Sequence, residues 1–293
     1  MDQPSNHIRP PEALFDLASQ SGQIRIGDAA VILPELPAGS FRCCITSPPY
    51  WGLRDYGIRG QIGAEASPDD YISSLVHIFA QVRRVLADDG TLWLNVGDSY
   101  TSGNRTWRHT DRKNPARAMT YRPPTPEALK PKDLIGIPWR LAMALQEDGW
   151  YLRCDIIWHK PNCQPESVKD RPTRSHEYLF LFSKSERYFY NHEAVREPVN
   201  GSQRMRNRRS VWSINTEAFP GAHFATFPPA LVEPCILAAT EPGDQVVDPF
   251  FGSGTVGLVS ARLRRPFLGI ELNERYAQLA MMRLADDSRP AIA

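Results

Sequence analysis

Cysteine is scarce: the five residues Cys43, Cys44, Cys154, Cys163 and Cys235 form an odd set in a chain of 293 and include no C-x-x-C pair. That spacing argues against a disulfide scaffold or a zinc site, and the apolar runs around most of them suit reduced core thiols. Long hydrophobic runs are missing too. No stretch approaches the ~20 apolar residues needed to cross a bilayer. The first residues, with Asp2, Arg9, Pro10 and Pro11, lack the apolar heart of a signal peptide, so a cytoplasmic protein without membrane attachment is expected. Nor is there an excess of one charge, the net value being +1. The charge is instead local. Between Ser99 and Lys132 eight Lys or Arg face two acids, and Arg204, Arg206, Arg208 and Arg209 fall within six positions. Segments of this kind grip a polyanion even in a near-neutral protein.

What is present is an alternation of two patterns. Runs rich in β-branched and aromatic residues predict strands at Ile24–Ile26, Cys43–Thr46, Thr91–Val96, Asp155–Trp158, Tyr178–Phe182, Gln245–Val247 and Phe267–Ile270. They are nearly continuous in apolar character, as strands covered on both faces must be. Helical periodicity falls between them at Tyr71–Leu86, Leu134–Leu145, Pro229–Ala239, Thr255–Leu263 and Asn273–Leu284, with Ser67 and Pro68 starting the first. The alternation predicts an α/β fold with an open, mostly parallel, doubly wound sheet. Two stretches break the rhythm. Residues 99–132 are basic and proline-punctuated, and residues 198–223 mix Arg, Asn, Ser, Trp and Gly without a period. Both are read as insertions that carry substrate contacts, with a solvated or disordered linker as the alternative for residues 99–132. The division is then 1–98, the first half of a catalytic domain; 99–132, a basic insertion; 133–197, further sheet; 198–223, a target-recognition segment; and 224–293, a cofactor-binding part.

After the strand Gln245–Val247 comes Asp248-Pro-Phe-Phe-Gly252-Ser-Gly254-Thr-Val-Gly257, then a helix, a strand and Glu271, 19 positions beyond Gly252. Glycines with a downstream acid form a nucleotide-binding fingerprint, in which backbone amides approach the ligand and the carboxylate takes ribose hydroxyls. A nicotinamide oxidoreductase is one reading. Against it, the glycines of a dinucleotide binder open the turn directly beneath a diphosphate, whereas here Asp248 and the bulky Pro-Phe-Phe come first. A carboxylate at that place repels phosphate and suits a ligand with an ammonium group, such as S-adenosylmethionine.

The strand Cys43–Thr46 ends in Ser47-Pro48-Pro49-Tyr50. Two prolines fix φ and supply no N–H, so the chain leaves the sheet stiffly at the carboxyl end of a strand, where open α/β sheets bind ligands. The Ser47 side chain and the Pro48 carbonyl become acceptors for an amino group, with the Tyr50 ring as a stacking face. An exocyclic amine is a poor nucleophile because its lone pair is delocalised. Acceptors on its N–H groups pull it toward sp³ geometry, and orientation for in-line transfer does the rest. A duplex base has to be extruded to reach such a site, and an aromatic ring offsets part of the unstacking cost.

Together, Thr46-Ser-Pro-Pro-Tyr50 and Asp248-Pro-Phe-Phe-Gly-Ser-Gly-Thr255 resemble the catalytic motif and cofactor loop of the amino-group (N4-cytosine or N6-adenine) DNA methyltransferases, in the permuted class labelled β. The likeness extends to Gly27-Asp28, Ile157-Trp-His-Lys-Pro-Asn162, His176-Glu-Tyr-Leu-Phe180 and His223-Phe-Ala-Thr-Phe-Pro228. It implies a Rossmann-like S-adenosylmethionine-dependent methyltransferase fold, with a seven-stranded mixed sheet and one reversed strand. It also implies catalytic roles for Ser47, Pro48, Pro49 and Tyr50. Cofactor contacts follow at Asp248 (the methionine amino end), Phe250, Gly252, Ser253, Gly254, Thr255 and Glu271 (the ribose). Asp28 falls near the adenine edge, and Phe224, Thr226 and Phe227 near the methionine carboxylate and adenosine; Asp28 as a helix cap and the phenylalanines as core residues are the alternatives.

Ser47 at the first motif position resembles the cytosine-N4 enzymes, since adenine enzymes usually carry Asp or Asn there; adenine N6 is the alternative. Methylation at cytosine C5 would need a cysteine nucleophile, for which Pro234-Cys235 is available, although an apolar helix suits it better as a core residue. RNA or protein methylation is a further alternative, disfavoured by Ser47 and the basic insert. Arg204, Arg206, Arg208, Arg209 and Trp212 are expected to contact DNA. His176-Glu177 has no third ligand nearby, so no metal is assigned. The partners implied are double-stranded DNA and a cognate restriction endonuclease, for a monomer or homodimer.

Overall fold

The structure, a computed structural model, describes residues 22–52, 58, 60–101, 125, 128–199, 203–217 and 227–287. Most of the basic insertion, part of the recognition segment, and Phe224 and Thr226 lie outside the described residues.

The chain runs β1 (Gly22–Ile26), α1 (Ala29–Glu35), β2 (Phe41–Thr46), α2 (Pro68–Val85), β3 (Leu86–Val96), α3 (Ile137–Glu147), β4 (Tyr151–His159) and β5 (His176–Ser183). It continues through a short ribbon, β6 (Glu197–Pro198) and β7 (Met205–Arg206), to β8 (Val211–Ser213), α4 (Pro229–Ala239), β9 (Val246–Asp248), α5 (Thr255–Arg262), β10 (Phe267–Glu271) and α6 (Glu274–Asp287). Apart from the ribbon, the strands form one eight-stranded sheet in the order β1-β10-β9-β2-β3-β5-β4-β8. β5 is antiparallel to both its neighbours and every other pairing is parallel. One strand is reversed, as expected, but there are eight rather than seven. The extra one, β8, comes from the segment read as a loop insertion. Its three residues are too short to show a period, and pairing with β4 makes the strand.

Successive residues of the inner strands point to opposite faces, and each face is covered by three helices. Cys44, Leu92, Leu94, Phe180, Phe182 and Val247 join the core under α1, α2 and α3. Their neighbours Cys43, Trp93, Leu179, Leu181 and Val246 join the core under α4, α5 and α6. This double covering explains the unbroken apolar runs. α2 begins where its sequence signals fall: Ser67 caps it by accepting from Asp70 N at 3.1 Å, Pro68 opens the first turn, and Arg83 and Arg84 close the last. α3 starts later than its periodicity predicts, because Asp98 Oδ1 accepts from Gly136 N at 3.0 Å and Ile137 N at 3.1 Å and fixes the first turn there.

The parts before and after the insertions are not separate layers. β9 and β10 insert between β1 and β2, so the carboxyl-terminal part completes the middle of the sheet. From the adjacent pair β2 and β9 the chain crosses over in opposite directions, through α2 to β3 and through α5 to β10. The carboxyl ends of β2 and β9 therefore flank a topological switch point, where open α/β sheets form a ligand crevice.

Candidate active site

That crevice is an open cleft with about 1300 Å³ of space, a figure that includes solvent at its mouth. Ser47, Pro48, Pro49 and Tyr50 line one side, and Asp248, Phe250, Gly252, Ser253, Thr255 and Glu271 the other, with Asp28 and Phe227 completing the wall. The two motifs touch directly. Thr46, the last residue of β2, donates its hydroxyl to Asp248 Oδ1 at 2.6 Å across 202 positions of sequence.

Asp248 is 2% exposed, and Phe250 N also donates to its Oδ1, at 3.0 Å. Burial pushes its carboxyl up to about 7, against the pull of those two bonds. Glu271, at the end of β10, accepts from Gly252 N at 2.7 Å and from Asn273 N at 2.8 Å; burial raises its carboxyl as well. A carboxylate offers about four acceptor sites, so capacity remains for a ribose hydroxyl. Gly252 and Gly254 turn the chain with φ of 53° and 78°. Gly254 does not line the cleft as expected: it sits behind it, where an added Cβ would lie 2.9 Å from the Ala280 Cβ. Asp28 does both things foreseen for it, accepting from Ala30 N at 2.8 Å as the cap of α1 while lining the cleft.

On the opposite wall Tyr71 donates to the Pro49 carbonyl at 2.8 Å, holding the proline elbow from α2. The Tyr50 ring lies against Gly97, where an added Cβ would come within 2.7 Å of the ring. Its hydroxyl donates to Glu177 Oε2 at 2.9 Å. Burial, reinforced by that carboxylate, drives the phenol well above its ordinary value, so it is neutral. Asn95 and Glu177 were not foreseen in this role. Glu177 was visible as half of a metal-like pair and within a segment that resembles the family, but no local signal ties it to Tyr50.

The cleft's described lining holds three acids, Asp28, Asp248 and Glu271, and no Lys, Arg or His. A diphosphate would meet carboxylates without a balancing cation, which removes the support for a dinucleotide. A ligand with a sulfonium, an ammonium, a ribose and a flat base fits the charge, the acceptors and the apolar walls from Phe227, Phe250 and Leu272. One expectation about DNA contacts is corrected, and Cys235 is the core residue expected of it. Trp212 was expected on DNA, yet it is 5% exposed, 6.4 Å from the Trp93 ring, and its indole donates to the Arg209 carbonyl at 2.7 Å. As the middle residue of β8 it packs into the core. Arg208 stacks on it, with the guanidinium carbon 4.3 Å from the ring centre. Cys235 is 1% exposed and donates to the Leu231 carbonyl at 3.2 Å; burial holds its thiol well above the ordinary range, so it is no nucleophile for C5 chemistry. Asn162 clamps Thr216, accepting from its N–H at 2.8 Å and donating to its carbonyl at 2.9 Å.

The DNA methylase family model matches residues 41–282, which spans both motifs and nearly all of the sheet. The chain belongs to this family. It is 66% identical over 258 residues to the type II methyltransferase M.XycI of Xanthomonas campestris pv. cyanopsidis, covering 88% of this chain and 86% of that one. To M.SmaI of Serratia marcescens it is 63% identical over 266 residues, covering 90% and 91%. Among solved structures, the cytosine-N4-specific PvuII DNA methyltransferase superposes with a TM-score of 0.68 at 22% identity, covering 93% of this chain and 88% of that one, a likeness of fold. The putative DNA modification methylase TTHA0409 of Thermus thermophilus, complexed with S-adenosyl-L-methionine, superposes with a TM-score of 0.64 at 25% identity, covering 91% and 94%. This DNA methyltransferase therefore has the Rossmann-like fold of the S-adenosylmethionine-dependent enzymes and uses that cofactor, which supplies an electrophilic methyl on a sulfonium. Asp248, Glu271, Asp28 and Phe227 would hold it. Among the described residues no helix is long and apolar enough to cross a membrane.

Proposed function

We propose that this methyltransferase modifies the N4 amino group of a cytosine flipped out of double-stranded DNA. The observation that carries the reading is Ser47, a neutral hydroxyl on the cleft wall beside the Pro48 carbonyl and the Tyr50 ring, at the position where the adenine enzymes it resembles carry Asp or Asn. Ser47 and the Pro48 carbonyl accept the two N–H bonds of the amine, and the neutral Tyr50 ring receives the base face. A base stacked inside a duplex cannot reach the cleft wall, so it has to leave its stack at a cost of a few kcal/mol. Arg204, Arg206 and Arg209 on the β6–β7 ribbon and the turn after it are the proposed DNA contacts. Glu197 fixes two of them, pairing with the Nε atoms of Arg206 and Arg209 at 2.8 Å each. Since the relatives above are named type II methyltransferases, a restriction endonuclease that cuts the same sequence is the proposed functional partner.

The test is to incubate the protein with duplex DNA and methyl-labelled cofactor, digest the DNA to nucleosides and identify the labelled one by mass. N4-methylcytosine is expected. Label recovered only as N6-methyladenine overturns the base assignment and leaves the family standing.

A further inference from the structure

Behind the Tyr50 ring runs a polar chain that a stacking role does not use. Ser47 Oγ lies 3.5 Å from the Tyr50 hydroxyl, to which it donates, and that hydroxyl donates onward to Glu177 Oε2 at 2.9 Å. Asn95 holds the same carboxylate oxygen through Nδ2 at 3.3 Å and is anchored on the Tyr178 carbonyl at 3.0 Å. The other oxygen, Glu177 Oε1, is paired with Lys160, whose ammonium sits 4.1 Å from the centre of the Trp158 ring. The side chains of Glu177 and Lys160 are 18% and 14% exposed. The far end of the chain thus reaches water, while its Ser47 and Tyr50 end, half-buried, lines the cleft.

The reaction needs such a path. The amine loses a proton as it gains a methyl group, and that proton has to reach water. The carboxylate on the cofactor side, Asp248, has Oδ1 occupied by Thr46 and Phe250 N. Ser47, by contrast, is the group proposed to face the amine and is the first link of the chain to Glu177.

We propose that Ser47, Tyr50 and Glu177 carry away the proton released by the target amine, with Glu177 as its acceptor. The amine lone pair forms the new N–C bond, the C–S bond breaks with its pair left on sulfur, and the N–H bond breaks. That proton passes to Ser47 Oγ as the Ser47 proton moves to the Tyr50 oxygen and the Tyr50 proton moves to Glu177 Oε2. Both hydroxyls end neutral, Glu177 ends protonated, and it returns the proton to water at the Lys160 end. The Ser47–Tyr50 separation has to shorten by about half an ångström when a base enters, as catalytic hydrogen bonds do on passing from free enzyme to complex. The inference rests on the amino-transfer reading and holds for either amine.

The experiment is single-turnover methyl transfer, at saturating cofactor, on a duplex that the wild-type protein methylates. Glu177→Gln keeps the shape and an acceptor for Tyr50 but cannot take the proton; transfer should slow by about 10²-fold. The fluorescence of a 2-aminopurine placed beside the target, which reports base extrusion, and the calorimetric affinity for cofactor should both be unchanged. Tyr50→Phe keeps the ring and removes the middle link, so it should lose as much. The double variant should be no slower than either single one, because the two act as one unit. Glu177→Gln transferring at the wild-type rate overturns the proposal. So do additive losses in the double variant, and so does a loss matched by reduced extrusion or cofactor affinity, which would make Glu177 a positioning residue. Failure of the amino-transfer reading is seen separately, as wild-type protein that labels neither N4 nor N6.

Discussion

Replacing Asp248 by Asn tests how the cleft holds its most buried acid. Burial raises the carboxyl from 3.8 to about 7; the bonds from Thr46 and Phe250 oppose this, and Glu271 adds a small push in the same direction as burial. Between about pH 4 and pH 7 the folded protein therefore keeps a proton that the unfolded chain has lost, and stability falls as pH rises through that window. At about 1.4 kcal/mol for each tenfold change in proton affinity, the whole effect is about 4 kcal/mol. Asparagine has the same shape, its Oδ1 accepts the same two bonds, and it stays neutral throughout. In urea melts of ligand-free protein the two should match near pH 4, and the variant should be more stable by about 4 kcal/mol at pH 8. Cofactor affinity should move the other way. Loss of a charged partner for the ammonium group costs about 1.5–3 kcal/mol, or roughly ten- to hundredfold in Kd by calorimetry at pH 8. Melts that stay parallel from pH 4 to pH 8, together with an unchanged Kd, would refute the account of Asp248 as a carboxylate held at a cost for its ligand.

Gly97→Ala should lower methylation by more than about tenfold with cofactor affinity intact, because its Cβ would lie 2.7 Å from the Tyr50 ring and push it off the base; steady-state kinetics beside calorimetry would separate the two. Cys235→Ala should leave the methylated product and kcat unchanged while lowering Tm, since a buried packing group is lost and not a nucleophile. Arg209→Ala should weaken binding to all duplexes alike and reduce the slope of log affinity against log salt by about one, measured by fluorescence anisotropy. Arg208→Ala should instead destabilise the fold, seen as a lower urea midpoint, through loss of its stacking on Trp212.

How much of this was legible in the sequence depends on whether the signal was local. The helix Pro229–Ala239 falls where its apolar run predicts, and the seven strands were placed to within a few residues, because double covering writes itself as continuous apolar runs. Residues whose role depends on a partner far along the chain were misread. Trp212 sits in a basic stretch and looked like a nucleic-acid contact, but pairing of Val211–Ser213 with β4 turned its indole inward against Trp93. Gly254 belonged to the right loop, yet its missing Cβ makes room for Ala280 rather than for a ligand.

The sequence by itself determined the chemistry of each half-site. Two prolines stiffen the exit from β2 whatever surrounds them, and an acid followed by glycines closes a strand-to-helix turn that suits a cationic ligand. Only the tertiary structure decided that these halves face one another. Strand order is set by packing of whole faces: β9 comes to lie against β2 with crossovers leaving in opposite directions, and that places Thr46 2.6 Å from Asp248. The same packing brings Glu177, on the one reversed strand, behind Tyr50. Register between strands far apart in sequence leaves no mark on either strand alone.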